Sequence, residues 1–189
     1  MIFLEKYNNK KNIRYKSFEF ALIEANKRNH KILVETGVAR GKIKFFFFSK
    51  KNWKDGMSTM IFSDYAKHQM GELNSCDISS KNINNAKKFT KSNNAFINFF
   101  VDDSLIFLNN FKKKIDFLYL DSLDGQFQDA SSHQLKEIQI ARKHLQPGSL
   151  VLLDDKGSKT NLSIDYMMKN EFTLINETNE QVLFSYKNQ

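Results

Sequence analysis

Five short apolar runs constrain this chain most: KILVET (31–36), ELNSCD (72–77), AFINFFV (95–101), IDFLYL (115–120) and SLVLL (149–153). Each is too short for a helix of ordinary length, and stretches with helical periodicity separate them. Helices are expected over Ser17–Asn29, Gly56–Lys67, Ser79–Ser92, Ser104–Phe111, Gln128–Leu145 and Ser158–Asn170. The fifth should stop at Gln146-Pro147-Gly148, a strong breaker. Two further strands, Phe172–Asn176 and Gln181–Tyr186, follow one another across a turn at Thr178-Asn179, so they should pair antiparallel at one edge. Alternating strands and helices with apolar central strands predict an α/β fold: a doubly wound parallel sheet with helices on both faces.

Ligands of such sheets bind outside the carboxyl ends of the strands. Those ends carry acids: Glu35-Thr36-Gly37, then Asp77, then Asp102-Asp103-Ser104, then Asp121 with Asp124, then Asp154-Asp155. Gathering like charges at one sheet edge costs stability unless cations or hydrogen-bonding ligands satisfy them. A glycine after the first strand allows close backbone approach to a ligand. A carboxylate ending the second can accept both hydroxyls of a ribose. Carboxylates from the fourth and fifth could converge on a hard divalent cation, which prefers oxygen.

Composition excludes several classes. A chain of 189 residues with one Pro and seven Gly reads as a single domain over 1–189, without linkers or repeats. One cysteine, Cys76, cannot build a disulfide framework, zinc site or iron–sulfur cluster within one chain, and it suits a reducing compartment. Apolar runs fall short of the roughly 20 residues of a membrane span, and the N-terminus lacks a signal-peptide pattern, so a cytoplasmic protein with no membrane partner is expected. The formal charge of +8 could signal a polyanionic partner, but the lysines are scattered among abundant Asn, Ile and Phe, which fits coding bias.

The runs ILVETGVARG (32–41), NSCDISSKNINNAKKF (74–89), VDDSLIFL (101–108), IDFLYLDSLDG (115–125) and LQPGSLVLLDD (145–155) resemble, in order and spacing, the successive motifs of class I S-adenosylmethionine-dependent methyltransferases. The resemblance spans about residues 31–186. It implies a Rossmann-like seven-stranded sheet of order 3-2-1-4-5-7-6 with the last strand antiparallel. It also implies S-adenosylmethionine as cofactor. Glu35, Thr36 and Gly37 would form the loop under its methionine part, with Gly41 the second glycine. Asp77, followed by Ile78, would hold the ribose; Asp103 and Ser104 would meet the adenine; Asp121 would lie below the sulfonium. One departure is plain: residues 42–55 separate Gly41 from Gly56-Met57-Ser58-Thr59, which looks like the family's helix start. They read as an insertion, a lid or a dimer contact. Ser58 would then cap the helix and bind the cofactor carboxylate. Residues 1–30 read as a helical N-terminal extension.

Within the family the absence of an Asn/Asp-Pro-Pro-aromatic motif and of a Pro-Cys pair sets aside DNA amino and cytosine C5 enzymes. Asp121, Asp154 and Asp155 occupy positions similar to the Mg2+ ligands of catechol-type and macrolide-sugar O-methyltransferases, where the metal lowers the pKa of the acceptor oxygen. The alternative for Asp154-Asp155 is a helix-start cluster without metal. Where that subclass carries a Lys or His base, this chain has Asp124; His133 and Lys156 are substitutes. The leading expectation is methylation of a small hydroxylated metabolite or sugar, with nucleic acid not expected. The competing readings are an RNA methyltransferase, a catalytically inactive cofactor binder and an NAD-dependent enzyme; the loop 37–41 is not Gly-x-Gly-x-x-Gly, which disfavours the last. The Phe45–Phe48 block is a candidate homodimer contact, a buried strand being the alternative.

Overall fold

The computed structural model describes residues 1–45, 48–51, 53 and 57–187; side chains of 42–51 are outside the description. Nine strands and six α-helices alternate among the described residues. Helix α1 (Tyr15–Lys27) precedes β1 (Ile32–Thr36). A hairpin of β2 (Lys42–Phe45) and β3 (Phe48–Lys51) leads to α2 (Ser58–Gln69). Then come β4 (Glu72–Asp77), α3 (Ser80–Phe89), β5 (Ile97–Val101), α4 (Ser104–Asn110), β6 (Ile115–Leu120) and α5 (Ala130–Ala141). β7 (Leu145–Leu153), α6 (Asn161–Met168), β8 (Phe172–Glu177) and β9 (Val182–Tyr186) follow.

Seven strands form one sheet in the order β5-β4-β1-β6-β7-β9-β8. β9 runs antiparallel to both neighbours, and the pairs among β5, β4, β1, β6 and β7 are parallel. The expected sheet order and its antiparallel strand are therefore present. The central strands are legible because both their faces are covered: Phe117, Leu118, Tyr119 and Leu120 of β6 are all buried, as are Leu150 to Leu153 of β7. One face packs on α1 and α2 through Phe18, Leu22, Ile61 and Phe62. The other packs through Phe107, Leu108, Ile138 and Ala141 of α4 and α5.

Several helix boundaries differ from expectation by a few residues, most clearly at the end of the fifth helix. The fifth helix ends at Ala141, and after a 3-10 turn over Arg142–His144 the backbone is already strand from Leu145. Gln146-Pro147-Gly148 thus lies inside β7, where the register against β6 shifts between Ile115 and Phe117; that irregularity removes the need for an N–H at Pro147. Residues 42–51 form a hairpin, paired from Lys42–Lys51 to Phe45–Phe48. Phe46, Phe47 and Gly56 lie outside the described residues, and so does the expectation of an aromatic lid or dimer contact there.

The N-terminal segment belongs to the core. Leu4 and Tyr7, from a 3-10 turn over Ile2–Tyr7, are buried with Phe18 and Tyr119 in one cluster. The Tyr7 hydroxyl donates to Asp64 of α2, and Asn12 Nδ2 donates to the Tyr7 carbonyl at 3.2 Å. These contacts bring Arg14 to the far end of β7.

Candidate active site

The carboxyl ends of β1, β4, β5, β6 and β7 open into two adjoining cavities. Gly37, Asp77, Ile78 and Ser122 line both. The first adds Arg14, Val38, Ala39, Arg40, Ser79, Asn82, Asp121, Asp124, Asp154 and Asp155. The second adds Cys76, Asp102, Asp103, Ser104, Leu123 and His133.

The floor is set by β1. Glu35 is fully buried and faces Ser75 across the β1–β4 register. Ser75 Oγ donates to Glu35 Oε2 at 2.6 Å, and Ser58 Oγ to Oε1 at 2.5 Å. Thr59 Oγ1 accepts from the Ala39 N–H at 2.8 Å, which ties the glycine loop to α2. The Ser58 hydroxyl is therefore turned inward onto Glu35. Ser58 is not the N-cap: that position is Met57, in a left-handed conformation with φ 59°. Glu35 and Thr36 likewise lie beneath the cavities, and Gly41 (φ +73°) packs against the Phe89 ring.

Burial raises the Glu35 carboxyl to about 7; the nearby Asp77 charge adds to this, while the hydroxyls of Ser58, Ser75 and Thr59 act against it. A native pKa above the unfolded value means that folding takes up a proton. The contribution is full below the unfolded pKa and disappears as pH rises through about 7. Glu35→Gln, neutral at every pH, should gain roughly 2–3 kcal/mol over the wild type between about pH 5 and about pH 8. Urea melts at those two values check it; parallel pH dependences would refute it.

Asp77 ends β4 with its carboxylate held in place. Ser79 N–H donates to Oδ1 at 2.7 Å, Val38 N–H to Oδ2 at 3.2 Å, and Asn82 Nδ2 reaches both oxygens. Asn82 is absent from the residues that the sequence singles out. It stands five residues on, on the first turn of α3, whose N-terminus Ser79 caps. Asp103 similarly caps α4, accepting from Leu105 N–H at 2.8 Å. Ser104 Oγ and His133 Nε2 lie 3.0 Å apart across the second cavity.

The three proposed bases separate. Asp124 pairs with Arg40 at 2.5 Å beside the first cavity. His133 lines the second cavity with Asp103 and Ser104, whereas the acidic cluster lines the first. Lys156 pairs with Glu177 at 2.7 Å and lines neither.

Asp121, Asp154 and Asp155 converge as the sequence suggests, with one oxygen of each lying within 4.8 Å of the others. At least one oxygen of each is already held by a side-chain cation. Arg14 Nε donates to Asp154 Oδ1 and Arg14 Nη2 to Asp155 Oδ1, both at 2.7 Å. Gln181 Nε2 also donates to Asp154 Oδ1 at 2.7 Å. Lys159 Nζ donates to Asp121 Oδ1 at 2.8 Å and to Asp155 Oδ2 at 3.3 Å. Lys159 is only 2% exposed. Withdrawal from water alone would lower its pKa, but Asp121, Asp155 and Asp154 outweigh that and hold the ammonium above its usual range. As arranged, the donor set does not fit a divalent cation, because Arg14 or Lys159 already sits against each carboxylate and an ion would have to share the cluster with two positive charges.

The sheet order, the acid-lined strand ends and the glycine loop define a Rossmann-like α/β protein of the class I methyltransferase type. Residues 53–156 match the family described as methyltransferase domain, and the chain belongs to that S-adenosylmethionine-dependent family. Solved structures share the fold at low identity. An O-methyltransferase from Bacillus cereus in complex with SAH superposes with a TM-score of 0.65 and 12% identity, over 97% of this chain and 90% of that one. An rRNA methylase from Streptococcus thermophilus gives 0.66 and 11%, over 95% and 99%. An N-methyltransferase from Bradyrhizobium japonicum gives 0.62 and 14%, over 93% and 97%. No curated protein matches by sequence. No helix among the described residues is long and apolar enough to cross a membrane.

Proposed function

We propose that the protein transfers the methyl group of S-adenosylmethionine to a hydroxyl oxygen of a small polar metabolite or sugar. The observation that carries this reading is the pair of cavities joined at Asp77 and Gly37. In the proposal the second cavity takes the adenosine, with Asp77 on the ribose hydroxyls and Asp103, Ser104 and Ile78 around the base. His133 then belongs to the adenine side and is not the general base. The first cavity takes the methionine part over Gly37 and the acceptor beside Asp121.

The acceptor oxygen attacks the methyl carbon in line with the C–S bond. The bonding pair returns to sulfur, which becomes the neutral thioether of S-adenosylhomocysteine, and the hydroxyl proton passes to a carboxylate. Asp121 and Asp124 are the candidates, since both line that cavity. Position and electrostatics supply the rate. The resemblance implies magnesium at Asp121, Asp154 and Asp155; each of the three is paired with Arg14 or Lys159, so no step is routed through a metal.

The lining also favours a small acceptor over RNA. Five carboxylates, Asp77, Asp121, Asp124, Asp154 and Asp155, line the first cavity against two guanidiniums, Arg14 and Arg40, and the buried Lys159 ammonium adds one more positive charge. A phosphate backbone would meet net repulsion there despite the overall charge of +8. Calorimetric titration with S-adenosylmethionine and with NAD tests the cofactor, and a screen of hydroxylated acceptors tests the transfer. Micromolar binding of S-adenosylmethionine alone supports the reading. NAD binding, or salt-dependent RNA binding with methylation of that RNA, would displace it.

A further inference from the structure

We propose that Arg14 and Lys159 together replace the divalent cation at the Asp121–Asp154–Asp155 cluster, so that the site is complete without metal. The two side chains bring two positive charges, the same charge as the ion. They approach from opposite ends of the chain: Arg14 precedes α1, and Lys159 follows the β7 turn. Their contacts divide the triad. Arg14 bridges Asp154 and Asp155, Lys159 bridges Asp121 and Asp155, and Asp155 is shared.

The surroundings fix this arrangement. Gln181 is fully buried; it donates to Asp154 and to the Tyr119 hydroxyl, and it accepts from Ser17 of α1. Asp155 adopts φ 54°, a left-handed backbone unusual outside glycine, and its carboxylate meets both cations in that conformation. Lys159 lies four residues beyond Asp155 and is almost fully buried against Asp121 and Asp155. A metal ion entering the cluster would either displace one of these cations or stand beside both, and in either case would gain little net attraction from carboxylates that are already paired.

This inference concerns the same cavity as the proposed transfer, but metal binding is measured independently of methylation. Mn2+ binding to the full chain is followed by the loss of the free ion's electron-spin signal and by thermal melts. The wild type should leave the signal unchanged and its melting midpoint within about 1 °C. A site with Kd of about 0.1 mM would instead raise the midpoint by roughly 5–10 °C at about 10 mM Mn2+. Stoichiometric Mn2+ binding by the wild type, lost in Asp154→Asn, would overturn the proposal.

Lys159→Met and Arg14→Gln each remove one charge and free carboxylate oxygens. Either folded variant should acquire one Mn2+ equivalent and regain part of its lost midpoint with the ion. If a folded variant binds no Mn2+, the cations are structural partners and not stand-ins, and the proposal fails. Should one variant not fold, the other and the wild-type titration still decide. S-adenosylhomocysteine binding, measured in parallel, reports on the methyltransferase reading separately.

Discussion

Asp77→Ala should weaken S-adenosylmethionine binding by about 100- to 1000-fold. Two hydroxyl bonds to a charged acceptor, each contributing roughly 1.5–3 kcal/mol, would give about 100- to 10,000-fold at about 1.4 kcal/mol per tenfold in affinity, and the lower part of that range is expected because water partly replaces the lost carboxylate. The carboxylate needs little ordering on binding, because Ser79 N–H, Val38 N–H and Asn82 already fix it. Asn82→Ala should therefore cost less, about tenfold, by releasing one of those restraints. Calorimetry with each variant measures both, and thermal melts verify that each is folded. An Asp77→Ala protein that binds within about threefold of the wild type would remove Asp77 from the cofactor site and leave the ordering of the two cavities without support.

Gly37→Ala should lower the melting midpoint by roughly 8–15 °C and abolish cofactor binding. A Cβ at Gly37 would stand 2.1 Å from the Asp121 carbonyl oxygen and 2.6 Å from its carbon, both backbone atoms that cannot swing aside. The residue also sits at φ +81°. The left-handed backbone costs an L-residue about 1–2 kcal/mol and the overpacking about 1–3 kcal/mol, at about 2–4 °C per kcal/mol for a chain of this size. Gly148 supplies the control. It has φ +88°, but an added Cβ there would meet nothing within 4 Å, so Gly148→Ala isolates the backbone contribution. Equal midpoints for the two variants would mean that the contact between β1 and the end of β6 is not tight in solution.

The sheet is readable because its central strands obey one rule along their whole length. β6 is buried on both faces, so IDFLYL is almost uniformly apolar. The acids at strand ends are equally visible, since each follows its strand directly in sequence. What sequence misses is non-local. Arg14 meets Asp154 across 140 positions, and nothing near Arg14 marks it as a partner. Lys159 offers a weak signal, four residues after Asp155, but the segment reads as a helix from Ser158, whereas α6 begins at Asn161. The inward hydroxyl of Ser58 is equally illegible: α2 begins at Ser58 as its spacing suggests, and only the fully buried Glu35 shows where that hydroxyl points. The breaker at Pro147-Gly148 fails because the irregular register of β7 tolerates it.

The pairing of Arg14 with Asp154 and Asp155 also sets an order of events during synthesis. The arginine leaves the ribosome long before its partners, which follow some 140 residues later, with Lys159 and Gln181 after them. At about 5–20 residues per second, the N-terminal segment waits of the order of ten seconds before it can dock. A nascent chain that has reached Asp155 but not Lys159 carries the carboxylates without one of their cations. The acidic corner should therefore be among the last parts of the sheet to assemble, and until then its charges are left to water.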